Sequence, residues 1–84
     1  MITYLEVDTQ VKEILAKQLG LTLDKVKSES LLVEDLGMDS FGSIETAFEL
    51  EEKFALKIPD QAIYGAKTVK DIVDYLAKEK GAVV

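Results

Sequence analysis

The sequence predicts an all-α fold: an antiparallel bundle of three main helices plus one short helix. Three observations predict it. Three stretches carry apolar residues at helical spacing, residues that start or stop helices bracket each stretch, and no run alternates apolar and polar residues as a strand does. With 84 residues the chain suits one domain, residues 1–84. Hydrophobic residues at 48% beside charged residues at 31% suit a chain that folds rather than a disordered one. A chain this short buries only roughly 60% of its unfolded surface, so its core is small and leaves little room for a deep catalytic cleft.

The expected helices cover about residues 4–19, 40–54, 60–65 and 68–80. In the first, Val7, Val11, Ile14, Leu15 and Leu19 share a stripe. Thr3 and Glu6 form a capping-box pattern at its start, and Gly20 offers a left-handed stop. The second begins at Ser40 and cannot run far past Phe54, because Pro59 forbids it. The short one lies between Asp60, which can cap a single turn, and Gly65. In the last, Val69, Ile72, Val73 and Leu76 form the stripe, Thr68 and Asp71 repeat the capping box, and Gly81 ends it. The connection from Gly20 to Asp39 is long for so small a bundle. Its Leu21, Leu23, Val26, Leu31, Leu32, Val33 and Leu36 require it to pack over the helices.

The chain has no Cys and no His. Disulfides, thiolate nucleophiles, Cys/His zinc sites and imidazole-assisted serine chemistry are therefore excluded. No apolar run approaches the ~20 residues of a membrane span. Met1 to Glu6 lack the pattern of a signal peptide, so the expected location is cytoplasmic. A calcium loop starting at Asp35 fails, since Gly37, Asp39, Ser40 and Thr46 do not meet the required ligand positions, and no metal site is expected.

The net charge of −6 sits in one segment. From Glu34 to Asp60 there are eight acids, Glu34, Asp35, Asp39, Glu45, Glu49, Glu51, Glu52 and Asp60, against only Lys53 and Lys57. The remaining eight acids and eight lysines balance. A charge run alone reads as a solubilising surface. Segregated in this way, it also steers basic partners and repels nucleic acid and anionic membranes.

Asp39 is a strong N-cap for the second helix, which leaves Ser40 exposed at the first helical position, with Gly37 permitting a tight approach. Alone, such a pair is a helix cap and nothing more. No base is available to activate Ser40, so it is not a catalytic serine. A serine that another enzyme modifies needs only exposure and a docking surface.

The run Glu34-Asp35-Leu36-Gly37-Met38-Asp39-Ser40 resembles the attachment motif of the acyl carrier protein family. The resemblance continues through Glu51-Glu52-Lys53-Phe54, Ile58-Pro59-Asp60, Thr68-Val69 and Asp74-Tyr75-Leu76, and begins near Val11-Lys12 and Gln18-Leu19-Gly20. It covers nearly the whole chain in register. It implies an acyl-carrier-protein-like bundle with a 4'-phosphopantetheine arm on Ser40, donated by coenzyme A and installed by a separate phosphopantetheinyl transferase. The chain would then catalyse nothing. It would tether acyl groups as thioesters, at about millimolar local concentration, for fatty-acid, lipid or polyketide enzymes.

On the second helix, Phe41, Glu45, Phe48 and Glu52 share one stripe, and Ile44, Ala47, Leu50 and Phe54 share another. The resemblance implies that the first stripe, with Glu51 and Asp60, meets basic patches on partner enzymes, and that the second lines a core able to admit an acyl chain. Periodicity alone equally allows Phe41 and Phe48 in the core. The chain departs from the common fatty-acid pattern at Phe41 and Thr46, both usually leucine. It also departs at Gly42, where an acid is common, and Glu49, usually small. A specialised carrier therefore stands beside a housekeeping one. Thr46 would bring a hydroxyl near the core, where it needs a partner. The rival readings are a peptidyl or aminoacyl carrier and an unmodified helical interaction module. A monomer is expected.

Overall fold

The computed structural model describes all 84 residues and is all-helical. Helix α1 spans Tyr4–Leu19, α2 Ser40–Phe54, α3 Asp60–Tyr64 and α4 Val69–Lys80. There is no strand, only two isolated β-bridges. No helix is long and apolar enough to cross a membrane.

Both capping boxes form. Thr3 Oγ1 accepts from Glu6 N–H at 3.1 Å, while the Glu6 carboxylate accepts from Thr3 N–H at 3.0 Å. Thr68 and Asp71 repeat the exchange at α4. Asp60 does not cap α3: Pro59 occupies the cap position without a side-chain bond, and Asp60 is the first helical residue. There its charge favours the helix's positive end instead.

The core joins Val7, Val11 and Leu15 of α1 to Leu50 and Phe54 of α2, Ile63 of α3, and Val69, Ile72, Val73 and Leu76 of α4. The connection before α2 contributes Val26, Leu32, Leu36 and Met38, all buried. It contains one 3-10 turn, Leu23–Lys25, and is stitched to the segment entering α4. Leu32 N–H donates to the Lys67 carbonyl at 2.9 Å, Val69 N–H to Ser30 at 3.1 Å and Lys70 N–H to Ser28 at 2.9 Å. These bonds satisfy backbone that helices cannot, and they hold the long connection against the entrance to α4. The chain ends are tied as well: Tyr4 N–H donates to the Val83 carbonyl and Val83 N–H to that of Ile2.

Helix α2 is held hard at its far end. Ala55 closes it in the left-handed region at φ 54°, and Lys80 Nζ donates to the Phe54 carbonyl at 2.8 Å. The Glu51 carboxylate accepts from Ile58 N–H at 2.8 Å, which fixes the turn toward Pro59.

Helices α1 and α4 share a polar clasp. The Tyr4 hydroxyl donates to Asp74, whose other oxygen pairs with Lys70. The bonds from Lys70 and then Tyr4 hold the Asp74 carboxyl below the usual range. The hydrogen bond to Asp74, followed by burial, pushes Tyr4 up from 10.0 to about 12. A group whose folded pKa is raised stabilises the fold below its unfolded pKa and loses that contribution as pH rises through the folded value. Wild type should therefore lose stability between pH 10 and about 12 through Tyr4. Tyr4→Phe should be less stable near neutrality and flatter across that window, which urea titrations at stepped pH will measure.

Candidate functional site

The entrance to α2 is built from Gly37 onward. Gly37 sits at φ 74° with open space where a Cβ would stand. Its requirement is thus a left-handed backbone, not the close approach expected from sequence. Asp39, extended at φ −110°, caps the helix by accepting from Gly42 N–H at 2.7 Å. A Cβ on Gly42 would lie 3.2 Å from that carboxylate oxygen, so its glycine keeps the cap uncrowded. Two hydroxyls follow and differ sharply. Ser40 is exposed at the first helical position. Ser43 is buried and donates to the Asp39 carbonyl at 3.0 Å.

Beside Ser40 lies an open groove of about 400 Å³. Leu32, Val33, Met38, Ser43, Ile63 and Tyr64 line most of it, with Asp39 and Ser40 at one side. A much smaller cavity between α2 and α3, about 10 Å³, shares Ser43, Ile63 and Tyr64 and reaches Ile44, Ala47 and Asp60. Sequence reasoning named Asp39, Ser40, Ala47 and Asp60 but missed Leu32, Val33, Ser43, Ile63 and Tyr64 as site residues, because the lining comes from three separate segments and no local pattern links them.

The faces of α2 follow from its rotation of about 100° per residue. Taking buried Leu50 as reference, Ser43 lies about 20° away, Thr46 and Phe54 about 40°, Ala47 about 60° and Ile44 about 120°. The buried stripe is accordingly Ser43, Thr46, Leu50 and Phe54, with Ala47 half-buried. Ile44, expected on the core or acyl-cavity stripe, is 57% exposed and lies outside the core, though it lines the small cavity between α2 and α3. Choosing apolar residues over the polar Ser43 and Thr46 had rotated the face. The signal that finds the true phase is a step back of four and seven from Leu50. Thr46 does enter the core, where its Oγ1 has no hydrogen-bond partner. Such a buried orphan costs about 1–3 kcal/mol.

Phe41, Glu45, Phe48 and Glu52 lie about 140–180° from Leu50. All four are exposed, Phe41 at 68% and Phe48 at 63%. Periodicity allowed these rings inside, but they are outside. Asp60 is exposed nearby in sequence at the start of α3. Glu51 differs from the other acids: it is half-buried and engaged by Ile58 N–H.

The site thus brings together an exposed serine, a capped helix start and a largely apolar groove. The chain matches the family model described as the phosphopantetheine attachment site over residues 9–76. It is therefore a phosphopantetheine-bearing carrier domain. It is 44% identical over 70 residues to an acyl carrier protein of Bdellovibrio bacteriovorus, covering 83% of this chain and 90% of that one. It is likewise 44% identical over 73 residues to an acyl carrier protein of Syntrophobacter fumaroxidans, covering 87% and 90%. The chain belongs to the acyl carrier protein family, whose members are non-catalytic carriers.

The residues present fit the 4'-phosphopantetheine group of that family. Ser40 is exposed and so open to a phosphodiester, while the Asp39 carboxylate that already caps the helix offsets by like-charge repulsion part of what the helix end would give an anion. The apolar groove gives an arm a surface to lie along. When bound, the group supplies a terminal thiol that this Cys-free chain lacks.

Proposed function

We propose that this chain carries acyl groups on a phosphopantetheine arm attached to Ser40 and presents them to lipid, fatty-acid or polyketide enzymes. The observation that carries the reading is the contrast between two hydroxyls on one turn. Ser40 is exposed at the α2 entrance, while Ser43 is buried and bonded to the Asp39 carbonyl. Asp39 holds the helix end in place, and Gly37 sets the turn that delivers it. The groove lining offers rest to the arm between encounters.

The outward face of α2 serves as the docking surface in this reading. Phe41, Ile44 and Phe48 supply apolar anchors, and Glu45, Glu52 and Asp60 supply charge that orients a basic partner surface. Those partners are a phosphopantetheinyl transferase, which draws the arm from coenzyme A, and the enzymes that act on the acyl group. Glu51 acts on this surface indirectly, by holding the α2–α3 turn.

Incubation with coenzyme A and a broad-specificity phosphopantetheinyl transferase tests the carrier role. Wild type should gain the mass of one phosphopantetheine, Ser40→Ala none. A wild type that gains nothing, or an alanine variant that gains the same mass, would end the reading.

A further inference from the structure

The segment that contains α3 is tied at both ends and by a single bond between them. At its start, Lys80 Nζ donates to the Phe54 carbonyl at 2.8 Å. At its finish, the Lys67 carbonyl accepts from Leu32 N–H at 2.9 Å. In between, the N–H groups of Ala62, Gly65 and Ala66 donate to Pro59, Gln61 and Ile63, all inside the segment. The one hydrogen bond that ties residues 57–66 to another element runs from Ile58 N–H to the Glu51 carboxylate, at 2.8 Å. No ion pair reaches the segment, and burial of Ile58 and Ile63 supplies the rest of its hold. Helix α3 forms its middle, and Ile63 and Tyr64 wall both the groove beside Ser40 and the small cavity between α2 and α3.

Glu51 is reachable from outside. With Glu52, Ala55, Leu56 and Lys57 it lines an open groove of about 350 Å³ at the end of α2 away from Ser40. We infer that the Glu51–Ile58 bond is a latch on α3, and that a guanidinium of a docking partner, seated on exposed Glu52 and drawn on to Glu51, opens it. The trigger rests on the proposed basic partner surface; the latch does not. A guanidinium grips a carboxylate through two parallel bonds with both partners charged, whereas Ile58 offers one bond from a neutral N–H. Turning outward to take that pair removes Glu51 from Ile58. The freed N–H belongs to a buried residue and has no other partner, so the turn swings toward water to satisfy it. Lys80 and Leu32 keep the two ends in place, so the motion is a flap of α3 and not an unravelling of α2 or α4. Docking at one end of α2 thereby moves the wall of the groove at the other.

Amide hydrogen exchange on the full, unmodified chain tests the latch. Glu51→Ala should speed exchange at Ile58, Ala62, Gly65 and Ala66 about tenfold to a hundredfold, with the amides of α1 and α4 within about twofold of wild type. Glu52→Ala, at the neighbouring exposed acid, should leave all of them unchanged. Tri-arginine peptide should speed the same four amides in wild type and add nothing in Glu51→Ala. Wild-type rates at those amides in Glu51→Ala would overturn the inference. So would a wild type in which the peptide slows them or leaves them alone, or an equal response to the peptide in both proteins. Should Glu51→Ala fail to fold, Glu51→Gln carries the test. Its neutral oxygen keeps a weaker bond, so the four amides should speed by roughly threefold to tenfold, and unchanged rates would refute the latch. No arm is needed for these measurements. Their failure leaves the Ser40 reading intact, and failure of the transferase assay leaves the latch to be judged by exchange.

Discussion

Leu50→Ala is expected to lower the melting temperature by roughly 10–30 °C and to leave a sizeable unfolded fraction at room temperature. Leu50 is fully buried where α2 meets the rest of the core. Removing a buried leucine side chain costs about 2–5 kcal/mol, partly in lost transfer energy and partly in the cavity left behind. A chain of this size has on the order of 5 kcal/mol in total, so the loss approaches the whole. Ile44→Ala should instead cost under about 1 kcal/mol, because that side chain is mostly in water already. The pair tests the rotation of α2 directly, by circular dichroism on heating and in urea. Similar losses at both positions would contradict the orientation described here.

The second large effect lies on the opposite face. Glu45→Lys and Phe48→Ala should each raise the KM of a phosphopantetheinyl transferase for the unmodified chain by about tenfold, with a smaller change in kcat. Glu45 supplies charge for encounter and Phe48 an exposed apolar anchor, and both point away from Leu50. Neither change should therefore move the melting temperature by more than a few degrees. Added salt should weaken the wild-type interaction more than that of Glu45→Lys, since the variant has lost part of what salt screens. A KM unchanged in both variants and insensitive to salt would remove this face as the docking surface.

What the sequence disclosed and what it concealed divide along a physical line. The helix starts at Thr3/Glu6 and Thr68/Asp71 were readable, because a capping box is local chemistry within four residues. The Asp39 cap was readable for the same reason. The rotation of α2 was not, because burial depends on neighbours far along the chain. Hydrophobicity nominated Ile44, but packing around Leu50 and Phe54 admitted Ser43 and Thr46. The restraint of Glu51 was hidden likewise, since its partner Ile58 arrives only after the chain turns back past Ala55. The groove beside Ser40 depends on Leu32, Ile63 and Tyr64 meeting in space, which no spacing rule foretells.

The most direct measurement is fragmentation mass spectrometry of the wild-type chain after transferase treatment, which places the added group on a particular residue. The competing hydroxyls of Ser43, Ser28 and Ser30 serve as internal comparison, two of them buried and the third half-buried. The predicted result is a single phosphodiester on Ser40 and none elsewhere. A group found on Ser43, or on any residue other than Ser40, would contradict it.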